Sequence, residues 1–508
     1  MEPFLVLFLL LITTLCILVY VYLTWNFNYW KKRGVLGPEP LIIFGTLPSV
    51  IKQNRHFVFD MADLYEKYKK CGESFIGIFM TRNPMILVLD TKLVREILIY
   101  NFKCFRDNEG ALWVNRKNEK IAGRNPFLAF FDEDWKERRN DFMGGISPSR
   151  LKQAFPIVTQ TGHKMTDFIK AQISKSNKII DAKSLSFKYT VEIYANFVWG
   201  IDTDAFKCVD DEHNVVLNMS SLFMDLSFLK VGLVNISSLM PGLKKLLKNR
   251  FYAEETDNFF TQLQNDAVDM RLRNKNNRSD FLNYMLELQR KKNISHVDMV
   301  GHSLTVLLDA FDTAAIVIYH ALYFLAINQK AQTKLRQEIL ANLDDKGEIS
   351  YRALINLEYL DQCVNETIRI VSPIPDFSKI CTETTYFENC ENKRTKIDRG
   401  MIVHISAFAI HHDPDIYHDP EEFIPERFDG GIAKEMTHKG CFLPFGDGPR
   451  ICAGMRLGLL ECKAGVFEII KNFQLNCCEQ TRKGKFIDTE SLNVGVDGDI
   501  FLEFKELK

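Results

Sequence analysis

Twelve cysteines occur in 508 residues without a single C-x-x-C pair, and Cys477 and Cys478 are adjacent. That spacing suits neither a disulfide framework nor a zinc site, so the thiols are expected to be mostly reduced and facing the cytosol. An excess of charge is missing too. The 64 Lys and Arg against 65 Asp and Glu leave a net charge of −1, which argues against nucleic acid as a partner. No complete dinucleotide fingerprint is present, because Gly446-x-Gly448 begins like G-x-G-x-x-G but Ile451 takes the place of the third glycine. Internal repeats are absent, and no composition shift after residue 40 marks a linker between two domains. Charge is also absent from Pro3 to Trp30, where Phe4 to Tyr22 is dense in Leu, Ile, Val and Phe.

That last absence is long enough to span a bilayer as one helix. Lys31-Lys32-Arg33 follow at once with only Glu2 before them, which places the rest of the chain on the cytosolic side. A cleaved signal peptide would have a shorter apolar core, its positive charge first and a small-residue cleavage site. Residues 1–30 are therefore expected to be a retained transmembrane anchor. Residues 31–40, ending in Gly34-Val35-Leu36-Gly37-Pro38-Glu39-Pro40, read as a basic and then stiff, non-helical linker. Asn-x-Ser/Thr matches at Asn218, Asn235, Asn277, Asn293 and Asn365 are chance matches on this orientation.

An apolar content of 46% against 25% charged is that of a globular chain with a good core. Two strand-like runs, Phe75–Phe79 and Met85–Leu89, sit in a region of turns. From about Trp135 to Asn342 the pattern is mainly helical, and short strand-like pieces return past Ile380. Residues 215–251 are apolar and end in a basic amphipathic run, which reads equally as a wet-faced helix or a membrane contact.

The stretch Phe442 to Leu460 concentrates the chemistry. Gly446, Gly448 and Pro449 forbid helix up to Cys452, and a helical apolar period through Leu457, Leu460 and Ala464 follows it. The thiol then sits at the mouth of a helix, where unpaired N–H groups lower a thiol's pKa. Small residues and Phe445 would let a flat apolar object approach. The plain alternative is an inert buried cysteine in a glycine turn.

Further constellations lie upstream. Trp135-x-x-x-Arg139 puts an indole and a guanidinium one helical turn apart, a natural carboxylate site or else a packing pair. A helix from about Ser295 to Asn328 starts with the capping-box-like Ser295-x-x-Asp298 and carries Asp309-Ala310-Phe311-Asp312-Thr313. Most buried threonines merely bond back to their helix. Glu366-x-x-Arg369 places opposite charges on one face of a helical run, Leu360 to Val371, and Arg427 in Pro425-Glu426-Arg427 could close a buried network with them. His411, His412 and His418 near Asp413 and Asp415 have irregular, Pro-broken spacing and read as a solvated loop rather than a metal site.

Residues 442–460 resemble the heme-ligand loop of the cytochrome P-450 family of heme-thiolate monooxygenases, and the motifs above occur in that family's order. The resemblance covers nearly all of the chain beyond residue 31 and looks closest to the animal microsomal type. It implies a mainly α (α+β) fold, a large helical body with a small antiparallel β region, in one catalytic domain over residues 41–508. It implies heme b (iron protoporphyrin IX) with Cys452 as axial ligand and Phe445 beside it. Trp135, Arg139 and Arg450 would meet heme propionates, as would Arg106 and Lys379, the latter where many relatives have arginine. Asp312 and Thr313 would deliver protons, and Glu366, Arg369 and Arg427 would form a structural triad. With no flavin or nicotinamide motif of its own, the chain would take NADPH electrons through NADPH-cytochrome P-450 reductase, with cytochrome b5 as an optional donor. O2 and a lipophilic small molecule would be the substrates, in a pocket drawn from residues 104–128, 215–235, 305–313 and 373–378, at the endoplasmic reticulum membrane. Asp309 and Ala310 depart from the family's small-Gly pattern, which leaves room for a heme-thiolate isomerase or peroxide rearrangement enzyme that needs no reductase; a non-catalytic heme-binding sensor is a separate alternative.

Overall fold

The computed structural model describes residues 2–114, 119–125, 134–175, 178–207, 254–274, 278–389, 393–484, 487–489 and 491–507. Residues 215–251, with the expected roof of the pocket and Asn218 and Asn235, lie outside the described residues, as does Asn277. Two compact units make up the chain, one from Met1–Arg106 and Asp376–Ala409 and the other mainly from Asp107–Asp225, Arg250–Pro375 and Ile410–Lys508.

The first unit begins with the helix Glu2–Thr24, whose side chains from Phe4 to Tyr20 are mostly exposed. An apolar helix left bare in this way is long enough to cross a membrane. The strand Phe75–Met80 pairs antiparallel with Asn83–Val88, Ile78 opposite Met85. Asn83–Val88 runs parallel to Ile402–Ser406, which pairs antiparallel with Asp376–Ile380 so that Lys379 faces Val403. Continuous apolar sequence rather than alternation marks Phe75–Met80 and the second half of Asn83–Val88, because both of their faces are buried. Trp30 is buried, donates its indole N–H to the Ile78 carbonyl at 3.1 Å and lies flat on Gly77. A Cβ on Gly77 would meet the Trp30 ring at 2.2 Å, and one on Gly37 would meet the Gly77 carbonyl at 2.0 Å. Both glycines are there to let linker and strand touch. The linker is therefore docked along its length, with Arg33 over the Tyr29 ring at 3.6 Å and paired with Asp398 at 3.2 Å.

The second unit is helical. Its core packs the long helix His296–Ile327 against Ala182–Trp199, Glu358–Val371 and Met455–Asn472, with Pro148–Ser174 laid on Ala182–Trp199 and Met455–Asn472, through residues such as Tyr189, Leu322, Leu360 and Val466. Each such apolar side chain contributes roughly 1.5–3 kcal/mol by leaving water. Ser295 caps the long helix, and both halves of its capping box with Asp298 form. Asp298 also pairs with Arg138 and, at 3.4 Å, with Arg124. Although apolar enough to cross a membrane, this helix is a core element, with 67% of its most apolar stretch buried. A small sheet at the chain's end pairs Phe501–Glu506 with Phe473–Cys477 and Ile179–Asp181.

Candidate active site

Gly446 and Gly448 adopt φ of 69° and 71°, the left-handed region that a side chain would strain. They fold the Phe442–Cys452 stretch into a tight loop, closed where the Cys452 N–H donates to the Phe445 carbonyl at 2.9 Å. The helix Met455–Asn472 starts directly after, with Gly454 as its cap. The Gly454 and Met455 amides point at the Cys452 sulfur, as the helix-mouth reading requires. Their pull is nevertheless the lesser effect. Burial pushes the thiol up to about 11, aided by the Asp309 carboxylate and opposed by those amides and Arg139. The expected lowering of this pKa is thus reversed in the protein by itself, because desolvation outweighs the helix dipole. A coordinated metal cation deprotonates such a thiol outright.

Cys452 is exposed even though burial dominates its pKa, so its sulfur lies on the wall of an internal hollow. The long helix carries a break in its own burial. From Asp298 to Tyr319 the long helix is buried at every residue except Asp309, Ala310, Asp312 and Thr313. Burial pushes Asp309 up to about 7, a shift that the Asn125 side chain opposes. The Asp309 charge raises the Cys452 thiol pKa in turn. Asp312 accepts from Asn493 Nδ2 at 2.5 Å, and burial raises its pKa. Thr313 donates back to the Asp309 and Ala310 carbonyls at 3.0 and 3.3 Å.

Cationic groups gather beside the cysteine loop. Arg450 lies over the Trp135 ring at 3.9 Å and reaches Asp107 at 3.7 Å. Arg139 donates to the Ile451 carbonyl, and burial lowers its pKa while the Cys452 thiolate raises it. Arg106 and Lys379 belong to the first unit, where Lys379 is buried. Phe445 packs partly against the helical core.

Glu366 and Arg369, both fully buried, bond through two N–H···O contacts of 2.7 and 2.9 Å. Arg427 Nε donates to Glu366 Oε1 at 3.2 Å, and the Ile424 amide does so at 3.0 Å. Arg369 also donates to the His411 carbonyl at 2.7 Å. His411 corrects the reading of its stretch as a solvated loop. The ring is fully buried, with Nε2 accepting from the Leu443 amide at 2.9 Å and Nδ1 2.7 Å from Ser372 Oγ. Burial and the Arg369 charge hold its pKa well below the usual range, so it stays neutral and ties the loop ahead of Cys452. Among the described residues no cluster of His, Cys, Asp and Glu could hold a metal ion. Nothing in the local sequence marks His411, Asn125 or Asn493, since each partner is distant along the chain.

The cytochrome P450 family model matches residues 35–497. The chain belongs to the cytochrome P450 family. Over 98% of its length it is 38% identical to a probable cytochrome P450 309a2 of Drosophila melanogaster, covering 92% of that protein. It is 39% identical to a probable cytochrome P450 309a1 of the same fly, with 96% of each chain covered. A cytochrome P450 6j1 of Blattella germanica is 28% identical over 96% of this chain and 95% of its own. This P450 is a heme-thiolate monooxygenase, an oxidoreductase with heme b as its cofactor. As in its family, it works with O2, a redox partner and lipophilic molecules. The residues present fit the group: a thiol open to an internal hollow, glycines that keep the loop low, and two arginines and an indole gathered around Ile451 and Arg450.

Proposed function

We propose that this P450 is a single-pass protein of the endoplasmic reticulum membrane, its catalytic domain cytosolic. It oxidises a lipophilic small molecule, a xenobiotic, steroid or fatty-acid-like compound, with NADPH electrons passed by NADPH-cytochrome P-450 reductase or in part by cytochrome b5. The observations that carry this reading are an exposed Cys452 in the glycine loop before the helix Met455–Asn472 and the one break in the burial of the long helix between Asp298 and Tyr319. Cys452 would hold the iron, and Trp135, Arg139 and Arg450 would take the heme carboxylates. Heme bound there supplies reductive activation of O2 and insertion of one oxygen atom into a C–H bond.

The chain's own residues control access and protons. Glu366, Arg369 and Arg427 lock the segment ahead of the cysteine loop. Asp312, steered by Asn493, keeps a proton at its carboxyl because burial disfavours the anion. Thr313 offers its hydroxyl oxygen to the hollow while its hydrogen rests on the helix carbonyls. A proton moving from Asp312 through Thr313 thus has a protein-held start and relay. Purified protein with reductase should consume NADPH and oxidise members of a lipophilic panel, and Asp312→Asn should lower turnover on the order of 10²-fold. Substrate-independent turnover of a peroxide without reductase would instead support the rearrangement chemistry.

A further inference from the structure

The cations that follow the apolar N-terminal helix have company from far along the chain. Lys31–Arg33 forms a single tight turn that Gly34 closes at a φ of 66°. The same unit holds a hairpin in which Thr385–Glu388 pairs antiparallel with Arg394–Ile397, Glu388 opposite Arg394. Thr395 and Ile397 are buried, so alternation turns Arg394 and Lys396 to the exposed face, with Asp398 next in that row. Asp398 is where the two stretches meet. It accepts from Arg33 at 3.2 Å and from the Tyr29 hydroxyl at 3.3 Å, and it pairs with Lys396 at 2.8 Å. Gly34 completes the contact, since a Cβ there would meet the Lys393 ammonium at 2.5 Å. Lys31 pairs with Glu39 at 2.6 Å and Arg394 with Glu388 at 3.7 Å, both pairs in the open. Such pairs contribute little and exchange readily for another anion. Lys32 and Lys393, both exposed, enter no ion pair among the described residues. Exposed Trp25 stands between the apolar helix and this patch in sequence, an aromatic of the kind that settles at headgroup level.

We infer that Lys31, Lys32 and Arg33 of the linker and Lys393, Arg394 and Lys396 of the hairpin form one docking surface for the anionic phospholipid headgroups of the membrane that holds the anchor. The inference rests on the single-pass reading above and adds the hairpin to it. Cations clustered beside a membrane-crossing helix draw anionic lipid to themselves, and here the fold assembles the cluster from two segments. The full chain is placed in phosphatidylcholine nanodiscs that carry a trace of phosphatidylserine or, separately, of phosphatidylcholine with a dansyl group on an acyl chain. Energy transfer from the tryptophans to the dansyl group then reports which lipid gathers around the protein. The native chain should gather the serine lipid about threefold over the choline lipid at low ionic strength, and high salt should remove the excess. Lys393→Glu combined with Lys396→Glu should lower that excess by roughly half or more, and Arg at both positions should keep it. Equal transfer from the two lipids in the native chain overturns the inference. So does an excess that the paired Glu variant leaves intact, because the linker alone would then account for it. Binding of the soluble domain of cytochrome b5 that the paired Glu variant abolishes, with no lipid excess, would give the patch to an acidic protein instead. A chain that alkali strips from the bilayer refutes the single-pass reading itself, whereas an alkali-resistant chain without the lipid excess refutes only this surface.

Discussion

Glu366 shows what a single side chain carries in this fold. Its carboxylate faces the Arg369 guanidinium with neither exposed, and it also takes the Arg427 and Ile424 N–H groups. Glu366→Gln leaves the Arg369 charge buried without its counter-ion, which costs roughly 3–5 kcal/mol. Denaturant unfolding should show that loss, together with poor heme retention. His302 gives a pH dependence. Burial holds its pKa down to about 4 against 6.5 in solution. The folded state therefore binds fewer protons than the unfolded one between these values, so stability present at pH 7 is lost as pH falls through that window. The loss by pH 5 is about 2 kcal/mol. Thermal unfolding of His302→Leu should show a shallower fall between pH 7 and pH 5 than the native chain, and an unchanged slope would assign the titration elsewhere. Spacing exposes the Glu366–Arg369 pair, because i and i+3 share a helix face. It says nothing of His302, whose neutrality comes from what packs around it.

At the scale of elements, the strongly periodic ones were readable in advance. The expected long helix from Ser295 to Asn328 is observed as His296–Ile327 with Ser295 as cap, and the two strand-like runs appear as Phe75–Met80 and Asn83–Val88. Long-range pairings were not readable. Trp30 docking on Gly77 fastens the start of the linker to a strand, and His411 joins Ser372 to the loop before Cys452. Gly77→Ala should push the Trp30 ring away, cost about 1–3 kcal/mol and expose the linker to cleavage. Limited trypsin digestion of the full chain at Lys31, Lys32 and Arg33 would register this as faster cutting. An unchanged rate would mean that the Arg33–Asp398 pair holds the linker unaided.

For the whole molecule, family membership was legible because several weak motifs fall in one order, while the state of the thiol was not. The helix mouth argues for a low Cys452 pKa, yet the mass of protein around the hollow decides the matter and pushes it up to about 11. Burial depends on the assembled fold, so no local pattern reveals it. The bare apolar helix Glu2–Thr24 predicts alkali-resistant association of the full chain with phospholipid vesicles and its loss when residues 2–24 are removed. Retention by the shortened chain would point to a second membrane surface. The most direct measurement is the absorption spectrum of the heme-reconstituted protein, reduced and treated with carbon monoxide. If Cys452 is the axial ligand, the native chain gives the red-shifted Soret band of a thiolate complex, and Cys452→Ser loses it. A native spectrum without that band, or one left unaltered by Cys452→Ser, contradicts the assignment.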